Sequence, residues 1–236
     1  MTDSVPPPMV RSQSPAFTIV KALAYAVALT LIGLVGAQLT ASVRVGPSLA
    51  VMAGGLVLGY LLADLLSGTV HWFCDTFFAE DTPLIGRMLI QPFRDHHRYP
   101  QAIARYGVLY QDASFAFIVI LPLALVWRAG GPHPGAWSMF GHAVLWSFAI
   151  GSLGTNLFHK WAHAERVPAG VRWLQQLGLI LSPRAHHVHH STYTGGYCVT
   201  SGRLNAGLDR IAFFARLERL IRGLLHRPRT TQPLSE

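Results

Sequence analysis

The sequence predicts an all-α protein: a multi-span membrane helical bundle with about four transmembrane helices and a histidine-rich cap on the cytoplasmic side. Three observations predict it. The composition is 51% hydrophobic and only 13% charged, which places the chain in the membrane class rather than among water-soluble domains. The apolar residues gather into long stretches separated by short polar or proline-broken connections. Most of the 12 histidines stand where those stretches run out into polar sequence. The net charge of +8 does not call for nucleic acid, because the basic residues crowd the ends of apolar segments. That is a pattern of membrane orientation and anionic-lipid contact. Cys74 and Cys198, the two cysteines, make no disulfide framework.

Residues 1–16 are rich in Pro and Ser and read as a disordered tail, with a second tail at 227–236 and one membrane domain, 17–226, between them. The first span, from about Ala16 to Ala41, is interrupted only by Lys21 and small polar residues. It is too extended for a signal peptide and reads as an anchor. A polar turn follows at Ser42 to Gly46. The second span, about Pro47 to Val70, carries Gly54, Gly55 and Gly59, which let a neighbouring helix approach closely. It also carries Asp64, an ionisable group that should face the bundle interior. On a 3.6-residue period Asp64, Gly68, His71 and Asp75 share one face, so a polar stripe runs out of the span.

Residues 76–111 are broken by Pro83, Pro92 and Pro100, and Leu84 to Ile90 can lie flat at the interface. The third span, about Ala113 to Trp127, is short and contains Pro122; it must thin the bilayer or begin nearer Tyr110. Gly130 to Gly135 reads as a tight turn. The fourth span begins near Ala136 and continues through His163, with Ser152, Asn156, His159 and His163 on one face. His142 lies roughly 100° away from His159 and falls outside that face. Residues 171–181 are too short to span and look interfacial. Ser201 to Gly207 is a turn-rich link. Ile211 to Leu225, with Arg216, Arg219 and Arg222, reads as an amphipathic helix lying on the membrane surface.

Charge orients the four spans. With the N-terminus inside, only Arg44 and Arg128 of the 19 Lys and Arg residues fall outside, so both termini are expected to be cytoplasmic. The same topology brings His71, His96, His97, His159, His163, His186, His187, His189 and His190 to one depth. His133 is the outsider.

The run Ser182-Pro183-Arg184-Ala185-His186-His187-Val188-His189-His190 concentrates the chemistry. Close imidazolium ions repel and buried neutral imidazoles need partners, so such a run costs stability unless something holds it. A metal does so, because neutral imidazole is a metal ligand. Nine imidazoles exceed the capacity of one ion, and two metals is the economical count. Zinc favours four-coordinate sites, whereas a nitrogen-rich six-coordinate environment suits iron, which also supplies the redox chemistry zinc lacks. A site where membrane meets cytosol calls for a lipid substrate. Arg94, Arg98 and Arg184 are candidate contacts for a lipid phosphate. Tyr99, Tyr193 and Tyr197 read better as interfacial anchors than as site residues. A metal transporter would place ligands near mid-span and a b-haem carrier would set histidines facing across spans. A zinc hydrolase of the His-Glu-x-x-His kind lacks its motif.

Four ordered motifs carry a resemblance. They are His71-Trp72-x-x-Asp75, Phe93-Arg94-Asp95-His96-His97, His159-Lys160-Trp161-Ala162-His163, and His186-x-x-His189-His190 followed by Tyr197-Cys198-Val199-Thr200-Ser201-Gly202-x-Leu204-Asn205. Over about residues 48–225 the chain resembles the lipid desaturase family. That family includes plasmanylethanolamine desaturases, their CarF and Kua-like relatives, and the plastid phosphatidylglycerol acyl desaturase. The resemblance implies a multi-span enzyme with a centre of two iron ions, using dioxygen and an external electron donor on a membrane phospholipid or ether lipid. It implies His71, His96, His97, His159, His163, His186, His189 and His190 as metal ligands, and Asp75 as a required catalytic acid beside them. Animal members of the family often open the last run with two adjacent histidines one residue earlier, where this chain has Ala185, so the resemblance leaves His187 as an extra or substitute ligand. Vinyl-ether formation is the expected reaction, with acyl-chain desaturation as the alternative and non-enzymatic metal binding or transport as a further one.

Overall fold

A computed structural model describes residues 14–43, 47–101, 103–105, 107, 113–130 and 135–225. Most of both expected tails, the turns at 44–46 and 131–134, Tyr110 and His133 lie outside them. Among the described residues every regular element is helical: α1 (Pro15–Ser42), α2 (Pro47–Thr76), α3 (Gln91–Arg98), α4 (Ala113–Ala129), α5 (Ala136–His163), α6 (Ala169–Gln176), α7 (Pro183–Thr192), α8 (Asn205–Arg210) and α9 (Phe213–Leu224). The chain divides into two units. Of the described residues, one holds those up to 66 and those from 107 to 157, and the other holds 67–105 and 158–225.

The first unit is built from long apolar helices. Ser14 caps α1 by accepting the Phe17 N–H at 3.3 Å, and Pro15 follows at the first helical position, so the helix starts slightly before the expected edge of the tail. Its core joins Ala28 and Val35 of α1, Ala116, Val119 and Leu123 of α4, and Ala143 and Ala149 of α5. Small residues permit the close approaches. A Cβ on Gly59 would collide with the Val144 carbonyl, and one on Gly36 would lie 2.9 Å from Trp146 Nε1. Polar groups are settled across helices: Trp146 Nε1 donates to the Ile32 carbonyl at 2.8 Å, and Ser147 Oγ donates to Leu56 at 2.6 Å. Asp64 is buried, as expected of an ionisable residue in an apolar helix.

The exterior of this unit is apolar, with Ile19, Leu23, Val57, Leu121, Leu125 and Trp137 exposed. Two helices, Pro15–Ser42 and Leu49–Thr76, are long and apolar enough to cross a membrane, and Phe115–Ala129 is a shorter apolar helix. α5 has 28 residues, but its histidines, serines and Lys160 dilute its apolar character. This is an integral membrane protein.

The second unit carries the histidines. α2 runs on to Thr76, past the expected end at Val70, because His71 to Asp75 keep the helical period. α3 is preceded by a π-helical turn, Gly86–Ile90, where a flat interfacial segment was expected; Leu84 is exposed while Ile90 is buried. α7 begins at a serine cap, with Ser182 Oγ accepting Ala185 N–H at 3.2 Å, and ends at Tyr193 in the left-handed region with φ 55°.

Beyond α7 the backbone from Tyr197 to Ser201 is buried without belonging to a sheet. Side chains take its hydrogen bonds: Ser67 Oγ accepts from Val199 N at 3.0 Å, and Asn205 clasps both polar atoms of the Cys198 backbone. Gly68 makes room for this strap, since a Cβ there would lie 2.5 Å from Cys198 Sγ. The link at 201–207 is shorter than expected because α8 already begins at Asn205. α9 packs Phe214 against Trp72 and Tyr197 and leaves Arg216, Arg219, Leu220 and Leu224 exposed.

Candidate metal centre

Four helices of the second unit aim imidazoles at one another. α2 gives His71 and Asp75 one turn apart, α3 gives His96 and His97, α5 gives His159 and His163 one turn apart, and α7 gives His186, His189 and His190. They form two sets with metal-ligating geometry. One is His96, His159, His163, His186 and His190; the other is His71, His96, His97 and His189. Within each set the candidate donor atoms all lie within 4.8 Å of one another. His96 belongs to both. His187 belongs to neither: it is exposed on the opposite face of α7. His142 also lies elsewhere, with Nδ1 2.6 Å from the Ser138 carbonyl of its own helix.

Hydrogen bonding among the imidazoles alone cannot satisfy the first set. His186 Nε2 lies 2.8 Å from both His159 Nε2 and His163 Nε2, which are themselves 3.3 Å apart. Every such contact needs one N–H and one lone pair. Three atoms in a ring cannot alternate donor and acceptor, so at least one contact sets like against like. His163, His186 and His190 form a second triangle, at 2.8, 3.0 and 3.3 Å. Added protons do not resolve this. Burial, then neighbouring imidazoles, hold His186 and His96 well below the ordinary histidine value, and bring His190 down to about 3. The lone pairs therefore converge, and a cation resolves the convergence. A metal–nitrogen bond of about 2.0–2.1 Å puts neighbouring nitrogens roughly 2.9 Å apart at right angles and roughly 3.3 Å apart at tetrahedral angles. The observed spacings fall in that range.

In the second set a carboxylate joins the imidazoles. Asp75 Oδ2 lies 3.3 Å from His71 Nε2, 3.1 Å from His97 Nε2 and 3.6 Å from His189 Nε2. His189 and His97 have Nε2 atoms 3.3 Å apart. Burial lowers His97 to about 4; it also lowers His189 to about 4, with Asp75 opposing. Among the described residues, several buried atoms find no hydrogen-bond partner: His96 Nε2, His97 Nδ1, His186 Nδ1 and Asp75 Oδ1. Orphaned buried donors and acceptors at this density are costly for a protein that holds nothing there. The residues fit metal.

The outward nitrogens of two ligands in the second set are pinned by backbone. His71 Nδ1 donates to the Tyr197 carbonyl at 3.1 Å, and His189 Nδ1 donates to the Gly195 carbonyl at 2.7 Å. Tyr197 is thus no surface anchor. It is buried, its ring 5.1 Å from that of His189, and its hydroxyl donates to the Tyr193 carbonyl at 3.0 Å. Tyr193 is partly exposed and packs its ring 5.3 Å from His97. The sequence singled out the stretch from Tyr197 to Asn205 without a role for it, and Gly195-Gly196 was the unused signal of a tight backbone approach.

The arginines separate. Arg98 is paired with Glu80 at 2.7 Å and Asp95 at 3.2 Å. Arg94 donates to the Phe78 carbonyl at 2.7 Å. Arg184 is exposed on α7.

An α-helical membrane protein with two imidazole-rich clusters able to hold metal is the class that fold and site define together. The lipid desaturase domain matches residues 60–231, and the chain belongs to this family. It is 37% identical over 171 residues to plasmanylethanolamine desaturase of Myxococcus xanthus, covering 72% of this chain and 60% of that protein. Against plasmanylethanolamine desaturase 1 of Mus musculus it is 37% identical over 175 residues, covering 72% and 65%. Fatty acid desaturase 4, chloroplastic, of Arabidopsis thaliana is 36% identical over 166 residues, covering 68% and 48%. The chain thus spans under two thirds of the length of these relatives. No solved structure matches it.

Proposed function

We propose that this chain is a di-iron, dioxygen-dependent membrane lipid desaturase, forming the vinyl ether bond of plasmalogens. The observation that carries the reading is the five-imidazole set packed beside the four-imidazole set with its carboxylate. Eight imidazoles and the Asp75 carboxylate offer nine donors to two ions, more than two tetrahedral zinc sites take, and suit ions of higher coordination number. When bound, iron supplies electron transfer to dioxygen. In the net reaction two hydrogens leave adjacent carbons of the lipid. Together with two electrons and two protons from an external donor, they reduce one dioxygen to two waters.

The chain's own residues contribute as follows. His159, His163, His186 and His190 hold one metal, His71, His97 and His189 hold the other, and His96 stands where both sets meet. Asp75 places one carboxylate oxygen among three Nε2 atoms, where it completes the second set or takes a proton. His187 is left out of the ligand set by its exposure. Arg184 is the remaining candidate for the lipid phosphate, since Arg98 is already paired and Arg94 is turned to the Phe78 carbonyl. In this reading 17–226 is one membrane domain of four spans, the termini and the histidines are cytoplasmic, and α9 lies on the membrane surface. Support comes from the arginine-bearing exposed face of α9 and from the skew of basic residues.

Acyl-chain desaturation is the second reading, favoured by the likeness to fatty acid desaturase 4. Lipid analysis of cells with and without the gene separates them. Loss of an acid-labile vinyl ether supports the first, loss of an acyl double bond the second, and an unchanged lipid profile rejects both. Purified protein should carry about two irons per chain; one zinc, or haem absorbance, overturns the di-iron reading.

A further inference from the structure

Two peptide groups in the strap after α7 do double duty. The Gly195–Gly196 peptide offers its carbonyl to His189 Nδ1 at 2.7 Å and its N–H to the Asp209 carboxylate at 3.1 and 3.3 Å. The Tyr197–Cys198 peptide offers its carbonyl to His71 Nδ1 at 3.1 Å and its N–H to Asn205 Oδ1 at 2.8 Å. Asn205 Nδ2 also donates to the Cys198 carbonyl at 3.0 Å. Each peptide therefore links a side chain of α8 to an imidazole of the second set. The hydrogen-bond chains run acceptor, N–H, carbonyl, imidazole N–H, and each bond polarises the next in the same sense. A neutral imidazole has one N–H, so committing it at Nδ1 leaves the Nε2 lone pair facing inward.

Steric fit supports the arrangement. A Cβ on Gly195 would lie 2.9 Å from Asp209 Oδ1, and Gly196 has φ +69° with His189 Cβ 3.2 Å from where its own would stand. The first set is not served in this way throughout: His186 Nδ1 is buried and has no hydrogen-bond partner among the described residues.

We propose that Asn205 and Asp209 are positioning residues that act through these two peptides on His71 and His189, and that they make the two metal positions unequal in affinity. The inference rests on the two-metal reading above. α8 thus acts on the metal centre without touching it. A carboxylate–histidine pair is ordinarily direct; here a backbone peptide stands between the partners, so an exposed acid can tune a buried ligand.

The test is an anaerobic titration of the full-length, detergent-solubilised, metal-free protein with Fe(II), and in parallel with Co(II), whose absorption reports each site. The wild type should bind two ions in resolvable steps. Asp209→Ala and Asn205→Ala should weaken one step by about 10–100-fold and leave the other in place, the range typical for removing an outer partner of a metal ligand. Asp209→Asn, whose amide oxygen still accepts the Gly196 N–H, should restore most of the loss. Elution volume and circular dichroism check folding, and the exposed Asp209 keeps the test open if Asn205→Ala misfolds. Two unchanged steps in Asp209→Ala, or two steps weakened equally, overturn the inference. Fewer than two ions bound by the wild type overturns the reading beneath it instead.

Discussion

His163 and His187 are both candidate ligands by sequence, but only His163 meets other imidazoles in the folded chain. His163 Nε2 contacts three other imidazole nitrogens, at 2.8 to 3.3 Å, whereas His187 faces outward. His163→Ala should therefore cut metal content and lower dioxygen-dependent activity by more than about 100-fold, beyond the 10–100-fold typical of outer partners alone, with membrane insertion intact. His187→Ala should leave metal content within error of wild type. Metal analysis of the two purified variants checks both, and equal losses would remove the distinction. At this scale the sequence was legible wherever residues recur at helical spacing. His71 with Asp75 and His159 with His163 could be paired by counting alone. The carbonyls of Gly195 and Tyr197 could not, because backbone carbonyls have no residue type to recognise.

At the scale of elements, the four stretches expected to span are each a helix, with boundaries moved by only a few residues apart from the end of α2. The strap was not visible. Its backbone bonds go to the Asn205 side chain seven residues on and to Ser67, 132 residues away, so no helix or strand period announces it. The strap also explains Gly68. Gly68→Ala would push a methyl toward Cys198, 2.5 Å from Sγ and 3.1 Å from the backbone nitrogen. We expect a loss of about 1–3 kcal/mol, as for other overpacked sites. Cys198→Ala in the same chain should relieve only part of it, because the backbone contact remains. Thermal unfolding of the single and double variants reads this coupling, and strict additivity would refute it.

For the whole molecule, the imidazole sets exist only in the native fold, so metal binds the folded state in preference to the unfolded chain. A metal at about 100 times its dissociation constant adds about 2.7 kcal/mol of stability per independent site. For a chain of this size each kcal/mol moves the melting temperature by about 2–4 °C. Chelation should lower the unfolding temperature of the purified protein accordingly, and added Fe(II) should restore it; an unchanged temperature would show that the cluster holds no metal. Composition made the membrane class legible and histidine spacing made the candidate ligands legible. The division of nine histidines into two sets, with one excluded and one common to both, depended on three-dimensional placement that no single-chain pattern carries.

The shared residue comes from α3, only eight residues long. An isolated helix of that length is marginal in water, since nucleation costs more than so few bonds return. Yet α3 delivers His96 to both sets and His97 to one. Metal held by His96 and His97 should therefore firm a helix that its own hydrogen bonds hold only weakly. The amide hydrogens of α3 from Phe93 to Arg98 should exchange faster in the metal-free protein than in the loaded one, so this short segment reports whether the centre is filled.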